Sequence, residues 1–426
     1  MSTISLQLFR DILYEYQKLI IVIGLIISFS GGSWDITFHI LSQPESFFSY
    51  PHTLVYTGIF IVIIIFFINF RKNISSENPN RKDNCFILIG AGLILASGPF
   101  DFSWHLNFGL DGLLSPPHIM LLTGWLLVGL GNLSITNKLI DLTLEREKER
   151  AQKGNPMGIR RITHQVDAKN DYENLDLVKQ ANNLDKNGIR LLRYQLFLNL
   201  SFILLILSGF IYFFSLPFSE TQYYNYNTDP LIAFFVYGLG FPILLSCFFI
   251  RILKNYPEFE EMVLLVGSFY VVIMLLTQIL SNPFLVDYSL YYILNIIPFM
   301  VIYLLNKIQI KKRFTKRNTL FQLGISQVEV KEYTNKKLYI FYALVLSISS
   351  ITICFPLNTY ILNEELYGYL VYQNLVSKVY VQLFSDYFMI IVPLSVSGGL
   401  LGLWLGLVLA SKYKVIHFRQ YFTKYR

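Results

Sequence analysis

The chain has 426 residues, of which 54% are hydrophobic, 16% are aromatic and only 15% are charged. So few charges among so many apolar side chains exclude most soluble globular domains and indicate a polytopic membrane protein. The net charge of +7 does not indicate a nucleic-acid partner, because the basic residues concentrate between alternate apolar runs.

Ten apolar runs follow one another along the chain, each about as long as a helix needs to cross roughly 30 Å of hydrocarbon. Backbone polar groups in lipid must be hydrogen-bonded within their own segment, so the runs are predicted to be helices and the fold class all-α. The predicted spans are residues 18–41, 50–70, 84–106, 115–138, 191–216, 229–253, 260–281, 287–307, 337–360 and 385–411.

The basic residues predict the orientation of these spans. Of the 35 Lys and Arg residues, only Lys378 lies on the side opposite to the N-terminus, the even-numbered loops and the C-terminus. The positive-inside rule then predicts that both termini are cytoplasmic. The expected location is the cell membrane, with the lipid bilayer as the main partner.

The spans fall into three predicted regions. Residues 1–140 hold the first four spans, and residues 191–426 hold a six-helix transmembrane region. Between them, residues 141–190 are polar and carry mixed charges, which suits a solvated cytoplasmic helix or a flexible linker. This segment is interpreted as a connector, with a regulatory or docking role as the alternative.

An internal repeat lies within the first region, where residues 18–70 and 84–138 each form a two-helix hairpin. A shift of 66 residues without a gap aligns chemically similar side chains in the two copies. It pairs Asp35 with Asp101, His39 with His105, Glu45 with Asp111, Pro51 with Pro117, His52 with His118, and Gly58 with Gly124. Because the copies are two spans apart, both hairpins cross the membrane in the same sense, and a pseudo-two-fold axis along the membrane normal would relate them.

Each copy contains the motif D-x3-H-x12-H. A separation of four residues is about one helical turn, so the Asp and the first His share one helix face. The second His follows a short outer loop and a proline, and proline suits the first turn of a helix. Hairpin geometry therefore predicts that each triad comes together near the extracytoplasmic ends of its two helices.

Nitrogen and oxygen ligands without a thiolate suit Cu(II), Zn(II) or Fe(II), and three protein ligands leave a coordination position open. The predicted metal sites are Asp35, His39 and His52 in one copy, and Asp101, His105 and His118 in the other. Glu45 and Asp111 are predicted as extra ligands or as groups that orient an imidazole. The alternatives are an Asp that accepts hydrogen bonds from neutral histidines and ties two helices together, and a proton relay.

The duplicated D-x3-H-x12-H motif resembles the copper-site motif in the C subunit of particulate methane and ammonia monooxygenases. The resemblance covers about 30 residues in each repeat. It implies that both triads bind copper near a site of substrate oxidation and that other membrane subunits are partners. This chain differs from that family in its two triads and its six further spans.

Three functions are compatible with these features. The first is a copper-binding membrane protein that acts as an oxidative enzyme or as a subunit of one, with zinc or iron as alternative metals. The second is a metal-ion or proton-coupled transporter, since internal repeats and intramembrane ionisable groups are typical of transporters. The third is a non-catalytic membrane scaffold or assembly factor.

Overall fold

The computed structural model describes residues 3–40, 46–68, 80–109, 115–153, 186–215, 230–255, 261–281, 292–308, 336–354 and 388–411, with isolated positions at 74, 78 and 386. Within these ranges the chain is almost entirely helical and contains no strand. This confirms the predicted helical fold class.

Each predicted span overlaps one helix of the described residues. The helices are α1 (Thr3–Ile40), α2 (Tyr50–Ile68), α3 (Arg81–Phe108), α4 (Pro116–Lys153), α5 (Lys186–Ser215), α6 (Pro230–Asn255), α7 (Met262–Ser281), α8 (Ile293–Ile308), α9 (Lys336–Ser349) and α10 (Phe388–Ser411). A π-helical turn, Ser350–Cys354, continues α9.

Seven of these helices are long and apolar enough to cross a membrane: α1 to α6 and α10. The remaining three contain shorter apolar stretches, at Met262–Thr277, Ile293–Ile308 and Lys337–Ile353. Because several long apolar helices in one chain need a lipid environment to cover them, the fold is that of a multi-pass membrane protein.

Helix α2 illustrates why lipid contact is needed. Ile59 and Val62 are fully buried against neighbouring helices, whereas Phe60, Ile64 and Phe67 are 59%, 47% and 50% exposed. The helix is therefore apolar on its outer face as well as on its inner face. A contiguous outward apolar face of this kind suits a hydrocarbon surrounding and not water.

The two hairpins of the repeat pack in the same way. In the first, a Cβ added to Gly24 would lie 2.8 Å from the carbonyl oxygen of Gly58. In the second, a Cβ added to Gly124 would lie 2.8 Å from the carbonyl oxygen of Gly90. Gly24 and Gly90 are related by the shift of 66 residues, as are Gly58 and Gly124. Small residues let the two helices of each hairpin approach closely.

The hairpins contact each other reciprocally. The ring of Trp125 on α4 lies over Gly32 on α1, and the hydroxyl of Tyr56 on α2 lies over Gly98 on α3. The indole Nε1 of Trp125 also donates a hydrogen bond of 2.9 Å to Ser28 Oγ. Helix α1 therefore meets α4 as α3 meets α2, which is the reciprocal pattern of contacts found in a two-fold interface.

The other helices pack around this duplicated unit. Helix α5 lies against α4, where the amide of Asn132 donates a hydrogen bond of 2.9 Å to Asn199 Oδ1. Helix α7 joins α5 through Ser201 Oγ, which donates to the Val266 carbonyl oxygen at 2.9 Å. Helices α6, α9 and α10 form a further packed group, in which Ser395 Oγ donates to the Ser347 carbonyl oxygen at 2.9 Å.

Two helices extend beyond their predicted spans. Helix α1 begins at Thr3, and α4 continues to Lys153, so the first part of the predicted 141–190 segment is helical. The sequence from Glu145 to Arg150 consists of Glu, Lys and Arg, which are good helix formers and need no apolar environment. Residues 154–185 lie outside the described residues.

Candidate metal centre

The repeated polar residues lie at one end of the four-helix unit. Asp35 and Asp101 sit near the carboxyl-terminal ends of α1 and α3, and His52 and His118 sit in the first turns of α2 and α4. Prolines occupy the first turns of α2 and α4, as predicted. The hairpins thus bring the ligand-type side chains to the same level of the bundle.

In the first copy, Asp35 and His52 are in direct contact. Nε2 of His52 lies 3.1 Å from Oδ1 of Asp35. The other ring nitrogen, Nδ1, lies 3.2 Å from the carbonyl oxygen of Ser46, in the loop before α2. Both ring nitrogens of His52 therefore face oxygen atoms.

In the second copy, Asp101 contacts both histidines of its triad. Oδ2 lies 3.3 Å from Nε2 of His105, and Oδ1 lies 3.3 Å from Nε2 of His118. Nδ1 of His105 lies 3.1 Å from the carbonyl oxygen of Gly109. His105 thus repeats the arrangement of His52, with a backbone carbonyl at one ring nitrogen and a carboxylate at the other.

This arrangement constrains the protonation of the two histidines. A backbone carbonyl only accepts hydrogen bonds, so Nδ1 of His52 and of His105 carries a proton. In a neutral imidazole, Nε2 then has only a lone pair, which repels the lone pairs of the facing carboxylate. An imidazolium, a protonated carboxyl group that donates to Nε2, or a cation between Nε2 and the carboxylate removes this repulsion. A backbone carbonyl that accepts from the second ring nitrogen is the common support of a metal-ligating histidine.

The two triads converge. The ligand atoms of Asp101, His105 and His118 all lie within 4.8 Å of one another, and so do those of Asp35, His52 and Asp101. Asp101 belongs to both groups. The sequence left open whether the triads form one centre or two, and the structure brings them together at Asp101.

The cluster is buried. Asp35, His52, Asp101 and His118 are 5–8% exposed as whole residues, and the side chain of His105 is 6% exposed. Burying a charged group costs several kcal/mol unless other groups compensate its charge. Two neighbouring carboxylates make this cost larger, because like charges repel more strongly where water is scarce. The cluster therefore needs positive charge.

The geometry fits a transition metal ion. Two ligands about 2.1 Å from one metal and about 90–110° apart lie about 3.0–3.4 Å from each other. The three carboxylate–imidazole separations, 3.1, 3.3 and 3.3 Å, fall in this range. Imidazole nitrogen and carboxylate oxygen together suit Cu(II), Zn(II) and Fe(II).

Gly109 positions the carbonyl that holds His105. It ends α3 with φ of 77° and ψ of 179°, a conformation that only glycine adopts readily. Its N–H donates to the His105 carbonyl oxygen at 2.9 Å, and its own carbonyl oxygen faces Nδ1 of the same histidine. The helix end is thus bonded to His105 through both backbone and ring.

Two aromatic residues outside the repeated motif also lie beside the centre. The phenol of Tyr56 lies one turn from His52, with its hydroxyl oxygen buried and within electrostatic reach of both carboxylates. The ring of Phe213 on α5 meets the ring of His118 edge-on, at a centroid distance of 6.2 Å. Tyr56 could have been found from the sequence, because it lies four residues after His52 and therefore on the same helix face. The repeat does not mark it, because the equivalent position in the second copy is Leu122.

Three predicted site residues fall outside what the structure describes. His39 lies within α1, one turn after Asp35, but its side chain is not among the described ones. Glu45 and Asp111 lie in segments outside the described residues. Their predicted roles as ligands stay predictions.

Comparisons of the chain with protein-family models, with curated proteins and with solved structures find no match. Function is therefore inferred from the geometry of the centre and from the duplicated motif.

Proposed function

We propose that this chain is a multi-pass membrane protein that binds transition metal at the cluster of Asp35, His52, Asp101, His105 and His118. One observation carries the proposal: His52 and His105 each have Nδ1 at a backbone carbonyl and Nε2 at a carboxylate. A metal ion satisfies Nε2 and both carboxylates together, without protonating buried rings.

Copper is the metal that we propose first. Cu(II) stands at the top of the affinity order of divalent metals for nitrogen and oxygen sites, and the duplicated motif resembles a copper site in membrane monooxygenases. Bound copper would supply one-electron and oxygen chemistry, so the proposed activity is oxidative. The residues of this chain would hold the metal, exclude bulk water and leave coordination positions open for a substrate or oxidant.

Metal analysis of the full-length protein purified in detergent tests metal binding. We expect at least one equivalent of Cu, Zn or Fe per chain, loss of most of it in the Asp101→Asn variant, and a lower metal content in the His105→Ala variant. His164→Ala serves as the control, because this histidine lies outside the repeated motif. A wild-type protein without metal, or both site variants with unchanged metal content, contradicts the proposal.

Competition dialysis tests the choice of metal. Metal-free protein is dialysed against equal free concentrations of Cu(II) and Zn(II), and against Fe(II) without oxygen. Because Cu(II) wins at most nitrogen and oxygen sites at equal free concentration, retention of copper is the expected result, whereas preferential retention of zinc or iron contradicts the copper assignment and leaves metal binding in place.

We further propose ten membrane crossings with cytoplasmic N- and C-termini. The three shorter apolar stretches would complete the count beyond the seven long helices. The distribution of Lys and Arg supports the orientation. On this topology the metal centre lies near the extracytoplasmic face of the cell membrane.

A metal-ion transporter is the second candidate function. Its support is that the centre forms where the two repeats meet, because transporter sites are typically built at repeat interfaces. Uptake of radioactive zinc or copper into proteoliposomes tests it. Uptake that disappears in Asp35→Asn and Asp101→Asn favours transport. If the protein in the vesicles binds metal but no metal enters the lumen, the result favours the oxidative function.

A further inference from the structure

Each of the two oxygen atoms of Asp101 faces a different histidine. Oδ1 faces His118 and Oδ2 faces His105, both at 3.3 Å. Its carboxylate also lies within 4.8 Å of the ligand atoms of Asp35 and His52 in the other hairpin. The carboxylate of Asp101 thus lies beside His105, beside His118, and beside the Asp35–His52 pair of the other hairpin.

The five ligand side chains form two groups and not one. Asp35, His52 and Asp101 make up the first group, and Asp101, His105 and His118 make up the second. A single metal with bonds of about 2.1 Å holds ligand atoms no more than about 4.2 Å apart. Two groups of ligand side chains that share Asp101 are what two neighbouring metal ions bridged by one carboxylate would require.

We propose that the centre binds two metal ions and that Asp101 is the carboxylate between them. This inference rests on the proposed metal binding and deepens it. One ion is bound by Asp35, His52 and Asp101, and the other by Asp101, His105 and His118. Each ion then has three described protein ligands and at least one open position.

The open positions give the pair a preferred class of ligand. In two-metal sites the ions lie about 3.5–4 Å apart, so one small molecule can bind both. Asp35 and Asp101 supply two negative charges, whereas two divalent ions supply four positive charges. Two positive charges then remain, and a small monoanionic oxygen donor, such as hydroxide or a carboxylate, would offset one of them and could bind both ions.

The buried phenol of Tyr56 lies on α2, one helical turn from His52. Its ring centroid lies 6.4 Å from that of His52, and its hydroxyl oxygen is buried over Gly98. A phenol O–H is a hydrogen-bond donor suited to an anionic oxygen ligand. Tyr56 is therefore expected to act as a positioning residue for the exogenous ligand and not as a metal ligand.

Metal stoichiometry tests the inference on the full chain in detergent, with Zn(II) as the titrant. We expect two zinc ions per wild-type chain, and one per chain in His52→Ala and in His118→Ala, because each variant damages a different group. Asp83→Asn is the control, because it changes a buried Asp on α3, the helix of Asp101, at the opposite end of that helix, beside Lys138. This control should keep two ions.

The outcomes separate the two proposals. One zinc per wild-type chain overturns the two-metal inference and leaves the proposed function in place, whereas a wild-type chain that binds neither zinc nor copper overturns both. Two zinc ions that both remain in His52→Ala, or both remain in His118→Ala, also overturn the assignment of the two groups.

Copper loading tests the shared bridge separately. Two Cu(II) ions bridged by one carboxylate couple magnetically, so the electron paramagnetic resonance signal should account for less than the copper bound. In His52→Ala, the signal should equal the single copper that remains. A wild-type protein with two coppers and full signal would overturn the bridging role of Asp101.

A further variant tests the role of Tyr56. Tyr56→Phe should keep two coppers but bind azide, an anionic probe, more weakly than the wild type does. Unchanged azide affinity would overturn the role of Tyr56.

Discussion

The carboxylates of Asp35 and Asp101 lie at the same point of the bundle, although they belong to different hairpins. With His52, their ligand atoms all lie within 4.8 Å of one another. Two negative charges this close in a water-poor site repel each other, and a cation between them removes the repulsion. Metal binding and folding of this region should therefore stabilise each other.

The first prediction concerns thermal stability. Adding zinc to chelator-treated wild-type protein should raise its melting temperature in detergent. The reason is that each occupied site adds about 2.7 kcal/mol to the unfolding free energy when free metal is 100 times Kd. Asp35→Asn removes one of the two charges, so its metal-free form should melt above metal-free wild type and gain less from zinc. Asp83→Asn should gain as much as wild type. Equal gains in wild type and Asp35→Asn would contradict the role of Asp35.

The second prediction concerns the carbonyl that orients His105. Gly109→Ala should weaken metal binding by about 10- to 100-fold, the usual effect of losing a group that orients a metal ligand. The reason is that alanine does not readily adopt φ of 77°, so the carbonyl oxygen would turn away from Nδ1. Zinc affinity is the measurement.

Gly92→Ala provides the control for this change. Gly92 lies on the same helix, and a Cβ added there meets nothing within 4 Å. Alanine inside a helix is favoured over glycine by about 0.5–1 kcal/mol, so this variant should keep its zinc affinity and be slightly more stable. If Gly109→Ala binds zinc as tightly as Gly92→Ala does, the carbonyl of Gly109 has no orienting role.

The third prediction concerns His39, which the repeat pairs with His105. If the first copy uses its full motif, His39→Ala should lower zinc affinity as much as His105→Ala does. Zinc titration of the two variants side by side measures this. Wild-type affinity in His39→Ala would mean that the first copy binds metal through Asp35 and His52 with the shared Asp101, and that the copies have diverged at this position.

The fourth prediction concerns topology. In a background without Cys85, Cys247 and Cys354, Glu45→Cys should react with a membrane-impermeant thiol reagent in intact cells. His164→Cys should react only after the cells are permeabilised, because residues 141–190 are predicted to be cytoplasmic. The reverse pattern would contradict the proposed orientation, and labelling of both positions in intact cells would contradict the opposite placement of the two segments.

The helices and the hairpin contacts could be predicted from the sequence because both depend on short-range patterns. Apolar runs of membrane-crossing length formed helices, and the spacing within D-x3-H-x12-H predicted the contact of Asp35 with His52 and of Asp101 with His118. Helix periodicity and a short hairpin loop are sufficient for such contacts.

The convergence of the two triads could not be predicted, because it depends on how one hairpin crosses the other. That crossing is set by tertiary contacts such as Trp125 with Gly32 and Tyr56 with Gly98, and the shift of 66 residues does not relate Trp125 to Tyr56. Gly109 was also missed, since its role comes from a backbone conformation and not from a repeated residue type.

The reciprocal contact between the hairpins also bears on how such a centre could arise. A two-helix unit that presents its triad beside a self-complementary face needs only a second copy of itself to place two carboxylates together. A homodimer of short peptides would therefore already assemble the ligand set, before any fusion into one chain. In a homodimer, one sequence must suit both sides of the centre. Once the two copies are joined in one chain, equivalent positions can differ, as Tyr56 and Leu122 do. Self-association of one hairpin would thus suffice to assemble a symmetric centre, and fusion into one chain allows the two sides of that centre to differ.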